Sequence, residues 1–158
     1  DGTHCFNCSM PIPVALDPKP AAVRLLRDLR VVDVDGEQFV VGVGRVSPED
    51  WFFKAHFHED PVMPGSLGVE GMAQALRAYG RWRYPEFAGA AVGLPREVTT
   101  EWKYRGQITP ADSEWELQVK VSSCRQEDSS LLLIGDGTFW KGDMCIYEVH
   151  GLAVRLDH

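Results

Sequence analysis

The sequence predicts an α+β domain, a single antiparallel sheet with one long helix packed against it, and three observations predict this. One stretch, 67–82, repeats apolar residues at helical spacing. Six others (23–34, 37–46, 96–104, 114–122, 131–139 and 144–156) have the length and the apolar, β-branched character of strands. The dipeptides Asp35-Gly36 and Gly142-Asp143 are tight-turn signals that fold neighbouring strands into hairpins.

In chain order, the first 20 residues hold four prolines, two cysteines and little periodicity, which suits an arm or linker, so the domain is expected over 21–158. The chain opens at Asp1 without a methionine, and the expectation is one domain cut from a longer polypeptide. Residues 23–34 and 37–46 then form a hairpin about Asp35-Gly36. In the helix, Leu67, Met72, Ala75, Leu76 and Tyr79 recur at near-helical spacing after the start signal Pro64-Gly65-Ser66, and the run ends before Pro85. Met72, Leu76 and Tyr79 read as core. In 114–122, Trp115, Leu117, Val119 and Val121 alternate with Glu116, Gln118 and Lys120, so that strand keeps one wet face.

The 158 residues suit one domain, and 44% hydrophobic with 25% charged content is ordinary for a globular one. No apolar run approaches the roughly 20 residues of a membrane helix, and no signal peptide opens the chain, so no membrane partner and a cytoplasmic location are expected. A net charge of −7, with acidic and basic residues mixed, argues against a nucleic-acid surface. Cys5, Cys8, Cys124 and Cys145 are too sparse for a disulfide framework. The CxxC within His4-Cys5-Phe6-Asn7-Cys8 would need two further ligands to hold zinc, so incidental thiols in an arm outweigh a metal site. Arg77, Arg81, Arg83, Lys103 and Arg105 form either a basic patch for an acidic partner or a solvated face.

The informative stretch is 51–74, WFFKAHFHEDPVMPGSLGVEGMAQ. It sets His56 ahead of a stiff Pro61 to Pro64 loop, Gly65 at a helix start and Glu70 in the first turns of that helix. A helix N-terminus offers unpaired N–H groups to a carbonyl oxygen that becomes negative during reaction, and Gly65 lets a substrate approach that backbone. Elimination of water from a 3-hydroxyacyl thioester needs a base for the C2 proton and an acid for the departing hydroxyl. Neutral imidazole suits the first task, and a carboxyl group suits the second if an apolar pocket keeps it protonated. Phe52, Phe53, Phe57, Val62, Met63 and Leu67 are candidates to build that pocket. Against the catalytic reading, Glu70 could serve only the helix dipole. His58 and His150 read as structural, and Ser66 as an N-cap or a hydroxyl beside the substrate rather than a nucleophile.

The stretch resembles the signature of the β-hydroxyacyl-acyl carrier protein dehydratases, H-F-x-x-x-P-V-M-P-G, a small residue, a leucine and a helical acid fourteen residues after the histidine. KYRGQITP at 103–110 and DGTFWKGDMCIYEVHGLAVRL at 136–156 are similar to later parts of the same enzymes, so the likeness covers about 21–156. The details look closest to dehydratase domains of polyunsaturated fatty acid and polyketide-type synthases. The resemblance implies the hot-dog fold, a sheet wrapped around one central helix. It implies His56 and Glu70 as the catalytic pair, the Gly65 amide as the carbonyl-polarising donor and the Val62 carbonyl as the group that orients the histidine. Gln74 falls on the helical glutamine, and Phe57, Pro64 and Ser66 border the substrate. It implies an acyl chain carried on acyl carrier protein or coenzyme A through phosphopantetheine, no other cofactor, and a homodimer or a pseudo-dimer with a second hot-dog domain in which the two catalytic groups come from different copies. Glu70 and Ser66 depart from the bifunctional branch, which usually has aspartate and often cysteine there, so isomerisation of the double bond is not implied. The alternatives are a thioesterase on the same fold and a non-catalytic acyl-binding domain of a megasynthase.

Overall fold

The computed structural model describes residues 9–96 and 98–158; the CxxC at 5–8 lies outside them. Eight strands form one antiparallel sheet: β1 (Ser9–Pro11), β2 (Asp28–Val34), β3 (Glu37–Arg45), β4 (Ala91–Gly93), β5 (Glu101–Tyr104), β6 (Glu114–Glu127), β7 (Ser130–Lys141) and β8 (Met144–Asp157). Their order is β1-β2-β3-β6-β7-β8-β4, with β5 also on β8. Two helices, α1 (Trp51–Ala55) and α2 (Gly65–Arg83), lie between β3 and β4. The sheet wraps α2, which is the hot-dog fold.

The β2–β3 hairpin closes at Asp35 (φ 53°) and Gly36 (φ 82°), with Val34 opposite Glu37, as the dipeptide requires. The strand begins at Asp28 rather than 23, because Ala21–Val23 coils into a 3₁₀ turn behind Pro20. In β6, Trp115, Leu117 and Val119 point into the core at 3% exposure or less, and β6 lies between β3 and β7. The expected strand 96–104 is shorter and is joined by an unexpected β4. Both pair with β8, at 155–157 and 147–150 respectively, and between them β8 turns at Gly151 (φ 67°), whose N–H donates to Asp136 rather than to a strand. Pro95, which has no N–H, also falls in the interruption.

Helix α2 has no free face: every residue from Gly71 to Arg81 is buried. One side packs on the sheet, with Met72, Leu76 and Tyr79 in the core. Gly68 brings the helix so near Tyr147 that a Cβ there would overlap the ring. The other side is covered by the segment before β2. Residues 9–20, expected as part of an arm, belong to the domain: β1 pairs with β2, Ile12 is 4% exposed and Asp17 is 7% exposed. The physical reason is electrostatic, because α2 turns Arg77 and Arg81 toward this segment and buried guanidinium groups require a counter-charge.

Candidate functional site

The histidine side is built locally. Helix α1 is a single turn capped at its C-terminal end by His56, whose N–H donates to the Phe52 carbonyl (2.8 Å). The chain then loops back so that the Val62 N–H donates to the His56 carbonyl (2.8 Å), while the Met63 N–H donates to the Ile108 carbonyl (2.8 Å) and ties the loop to the body. Phe52, Phe53, Val62 and Met63 are buried beneath it. His56 Nδ1 lies 3.0 Å from the Val62 carbonyl oxygen. A carbonyl only accepts, so Nδ1 carries the proton and Nε2 of the neutral ring keeps its lone pair. Phe57 is 57% exposed, with its ring centroid 3.6 Å from that of His56.

Pro64 caps the start of α2, and the exposed Ser66 makes no capping bond, so the N-cap reading of Ser66 gives way to a hydroxyl open to solvent. Pro takes the cap because Pro61 to Pro64 already hold the extended entry to the helix. Gly65 opens the helix, where backbone N–H groups have no intrahelical acceptor. A Cβ at Gly65 would stand 2.5 Å from Cζ of Tyr104, so the glycine is required by the close approach of that ring from β5. Tyr104 in turn meets Tyr147 edge-on at 4.7 Å. Burial raises the pKa of Tyr104 and pushes that of Tyr147 up to about 12, so both phenols remain protonated at neutral pH. Tyr104 is a site neighbour that motif reading passed over, although it lies in the KYRGQITP segment.

The carboxylate side is built from distant parts of the chain. Glu70 Oε1 accepts from Arg77 Nη2 (2.7 Å) and from Gln74 Nε2 (3.1 Å), and Lys19 Nζ lies 3.9 Å away. Gln74 also donates to the Val23 carbonyl (2.8 Å) and accepts from the Leu25 N–H (3.4 Å), which fastens α2 to the segment before β2. Asp17 grips Arg77 through both carboxylate oxygens and also accepts from Arg81 Nη1. A cavity of about 260 Å³ opens beside this cluster, lined by Val14, Ala15, Pro18, Leu26 and Gln74 among others.

Two expectations are corrected here. Of the apolar residues proposed to surround Glu70, Phe52, Phe53, Val62 and Met63 are buried, Leu67 packs against the core and Phe57 is exposed beside His56, while the carboxylate faces two cations, Arg77 two helical turns beyond it and Lys19 on the segment before β2. Arg77 and Arg81 are each 5% exposed and paired with Asp17, so they belong to no surface patch. The interior pairing gives each guanidinium a counter-ion that a solvated face would not supply. His58 and His150 are exposed, each 3.7 Å from an acid (Glu59 and Asp136). Among the described residues, no hydrogen bond or ion pair joins His56 to Glu70, and no group of three or more His, Cys, Asp or Glu is arranged to hold a metal ion.

Comparison with known proteins agrees with this architecture. The family described as "FabA-like domain" matches residues 18–150. Over 121 residues, 73% of the chain, the sequence is 38% identical to one component of the polyunsaturated fatty acid synthase of a Thraustochytrium species, of whose length the match spans 8%. Among solved structures, the dehydratase heterocomplex ApeI:P of Xenorhabdus doucetiae superposes with a TM-score of 0.62 at 18% identity, covering 93% of this chain and 91% of that one. A sigma28-regulated virulence protein of Campylobacter jejuni superposes with a TM-score of 0.53 at 4% identity, covering 91% and 82%. At these identities the superpositions speak for the fold alone.

Proposed function

The chain belongs to the FabA-like domain family, and on that premise we propose that it is a dehydratase converting a 3-hydroxyacyl thioester to the trans-2-enoyl thioester in fatty acid or polyketide biosynthesis. The acyl chain arrives on acyl carrier protein or coenzyme A. His56 Nε2 removes a proton from C2, and Glu70, which must enter the step protonated although Arg77 stands beside it, gives that proton to the hydroxyl leaving C3. The C2–C3 double bond forms, water departs, and the Gly65 N–H meets the negative charge that gathers on the thioester oxygen. The elimination is redox-neutral, so it calls for no cofactor beyond the carrier. The observation that carries the reading is the 3.0 Å bond from His56 Nδ1 to the Val62 carbonyl, which leaves the lone pair on Nε2 free to act as a base.

His56 and Glu70 act together across two copies of the fold, as a homodimer or beside a second hot-dog domain. What supports this is the edge at β5. All four of its residues are exposed, Trp102 and Tyr104 by 51% and 46%, and among the described residues β5 pairs only with β8. Tyr104 rests on Gly65, so a second copy added at this edge would bring its own groups near the start of α2.

The test is an assay of 3-hydroxyacyl thioester dehydration with the unmutated protein, His56→Ala and Glu70→Gln, using acyl carrier and coenzyme A substrates. Rapid enoyl formation by the unmutated protein, with His56→Ala and Glu70→Gln each slowed about a hundredfold or more but still measurable, is the expected result. Free thiol without enoyl product would make the chain a thioesterase, and substrate binding without turnover an acyl-binding domain.

A further inference from the structure

Glu70 is gripped on one oxygen only. Its bonds from Gln74 and Arg77 and the approach of Lys19 all fall on Oε1, and among the described residues Oε2 has no polar partner. Arg77 stands two helical turns beyond Glu70 on the same face. Its own position is fixed independently: Nε lies 3.2 Å and 3.1 Å from the two oxygens of Asp17, and Nη2 is shared between Asp17 Oδ2 (3.1 Å) and Glu70 Oε1 (2.7 Å). Asp17 is braced in turn by Arg81, which donates on to the Ala90 carbonyl (3.0 Å). A planar guanidinium held by two oxygens on one side presents its remaining N–H along a fixed direction, which an ammonium on a flexible stem does not.

We propose that Arg77, clamped by Asp17, is a positioning residue of this site: it fixes Glu70 by Oε1 and so makes Oε2 the oxygen that delivers the proton. The inference rests on the dehydratase reading of Glu70. The charged groups facing Glu70 are Arg77 on its own helix and Lys19 on the segment before β2, with Asp17 behind Arg77. Gln74, spent on three bonds, sets the rotamer but carries no charge.

The experiment is a double-mutant cycle in the full chain, with kcat and KM for 3-hydroxyacyl thioester dehydration measured for the unmutated protein, Arg77→Met, Glu70→Gln and the double variant. Arg77→Met leaves Asp17 its pair with Arg81. It is expected to lower kcat about tenfold or more with KM within about twofold, since misplacing a reacting group by an ångström weighs that heavily. In the Glu70→Gln background the same change is expected to have no further effect, and Arg77→Lys to recover part of the loss. An equal loss in both backgrounds, or unchanged kcat in Arg77→Met, overturns the positioning role while leaving the dehydratase reading intact. A Glu70→Gln variant as fast as the unmutated protein overturns both. Should Arg77→Met fail to fold, Arg77→Lys keeps the buried charge and runs the same cycle, with the same two outcomes deciding.

Discussion

The imidazole of His56 is held by a carbonyl six positions away in a loop that closes on itself, whereas Glu70 stands in a cluster whose contacts to the segment before β2 span 49 to 64 positions. One region is a local motif, with prolines, a one-turn helix and a glycine in consecutive order. The other exists only once the chain has folded, when Asp17, Lys19, Val23 and Leu25 meet the far side of α2. The difference teaches that a side chain's chemistry and its support can be encoded in different places. Damage to the first region should silence the site without loosening the fold, while damage to the second should do both.

That contrast is open to four tests, in decreasing size of effect. His56→Ala is expected to lower kcat about 10²–10⁴-fold, the usual worth of a positioned acid or base, with stability to urea within about 1 kcal/mol of the unmutated protein. A large loss of stability would erase the distinction. Asp17→Ala leaves the buried Arg81 without a counter-ion and Arg77 with Glu70 alone, so urea unfolding should register a loss of about 3–5 kcal/mol and a melting scan a drop of about 10 °C. Equal stability would mean that the carboxylate side does not depend on its long-range partners. Gln74→Met removes the bonds to Val23 and Leu25 at nearly constant volume, and about 1–3 kcal/mol should go with them. The smallest effect concerns pH. Burial holds the Tyr147 phenol at about 12 against the usual 10, so the unfolded chain ionises first as pH rises, and stability is expected to fall from about pH 10 onward. Tyr147→Phe should make that decline shallower in equilibrium unfolding followed by circular dichroism, leaving the share of Tyr79, whose phenol burial also pushes up to about 12.

What the sequence discloses divides along the same line. The central helix, the Asp35-Gly36 hairpin and the alternation in 115–119 are local patterns with one structural solution, and each appears where the pattern puts it. His56, Val62, Pro64 and Gly65 are likewise consecutive enough for a motif to relate them. The surroundings of Glu70 are not. Arg77 was reachable in principle, since seven residues along a helix return to the same face, but Asp17 sits among prolines in a stretch whose composition reads as linker. Its meaning comes from two arginines sixty and sixty-four residues away. Strand ends shifted for a similar reason: β4 and β5 begin and end where β8 offers or withdraws its backbone, which no property of 91–104 announces.

The placement of Asp17 bears on how this unit is handled as a module. A boundary drawn by composition at residue 21, or by the family match at 18, discards the anion and retains both cations. A match ending at 150 likewise divides β8, which continues to Asp157 and forms the last ladder with β4. Pieces cut at those limits would carry an interior charge imbalance and a torn sheet, whereas a piece spanning 9–158 keeps the counter-ion and the ladder together.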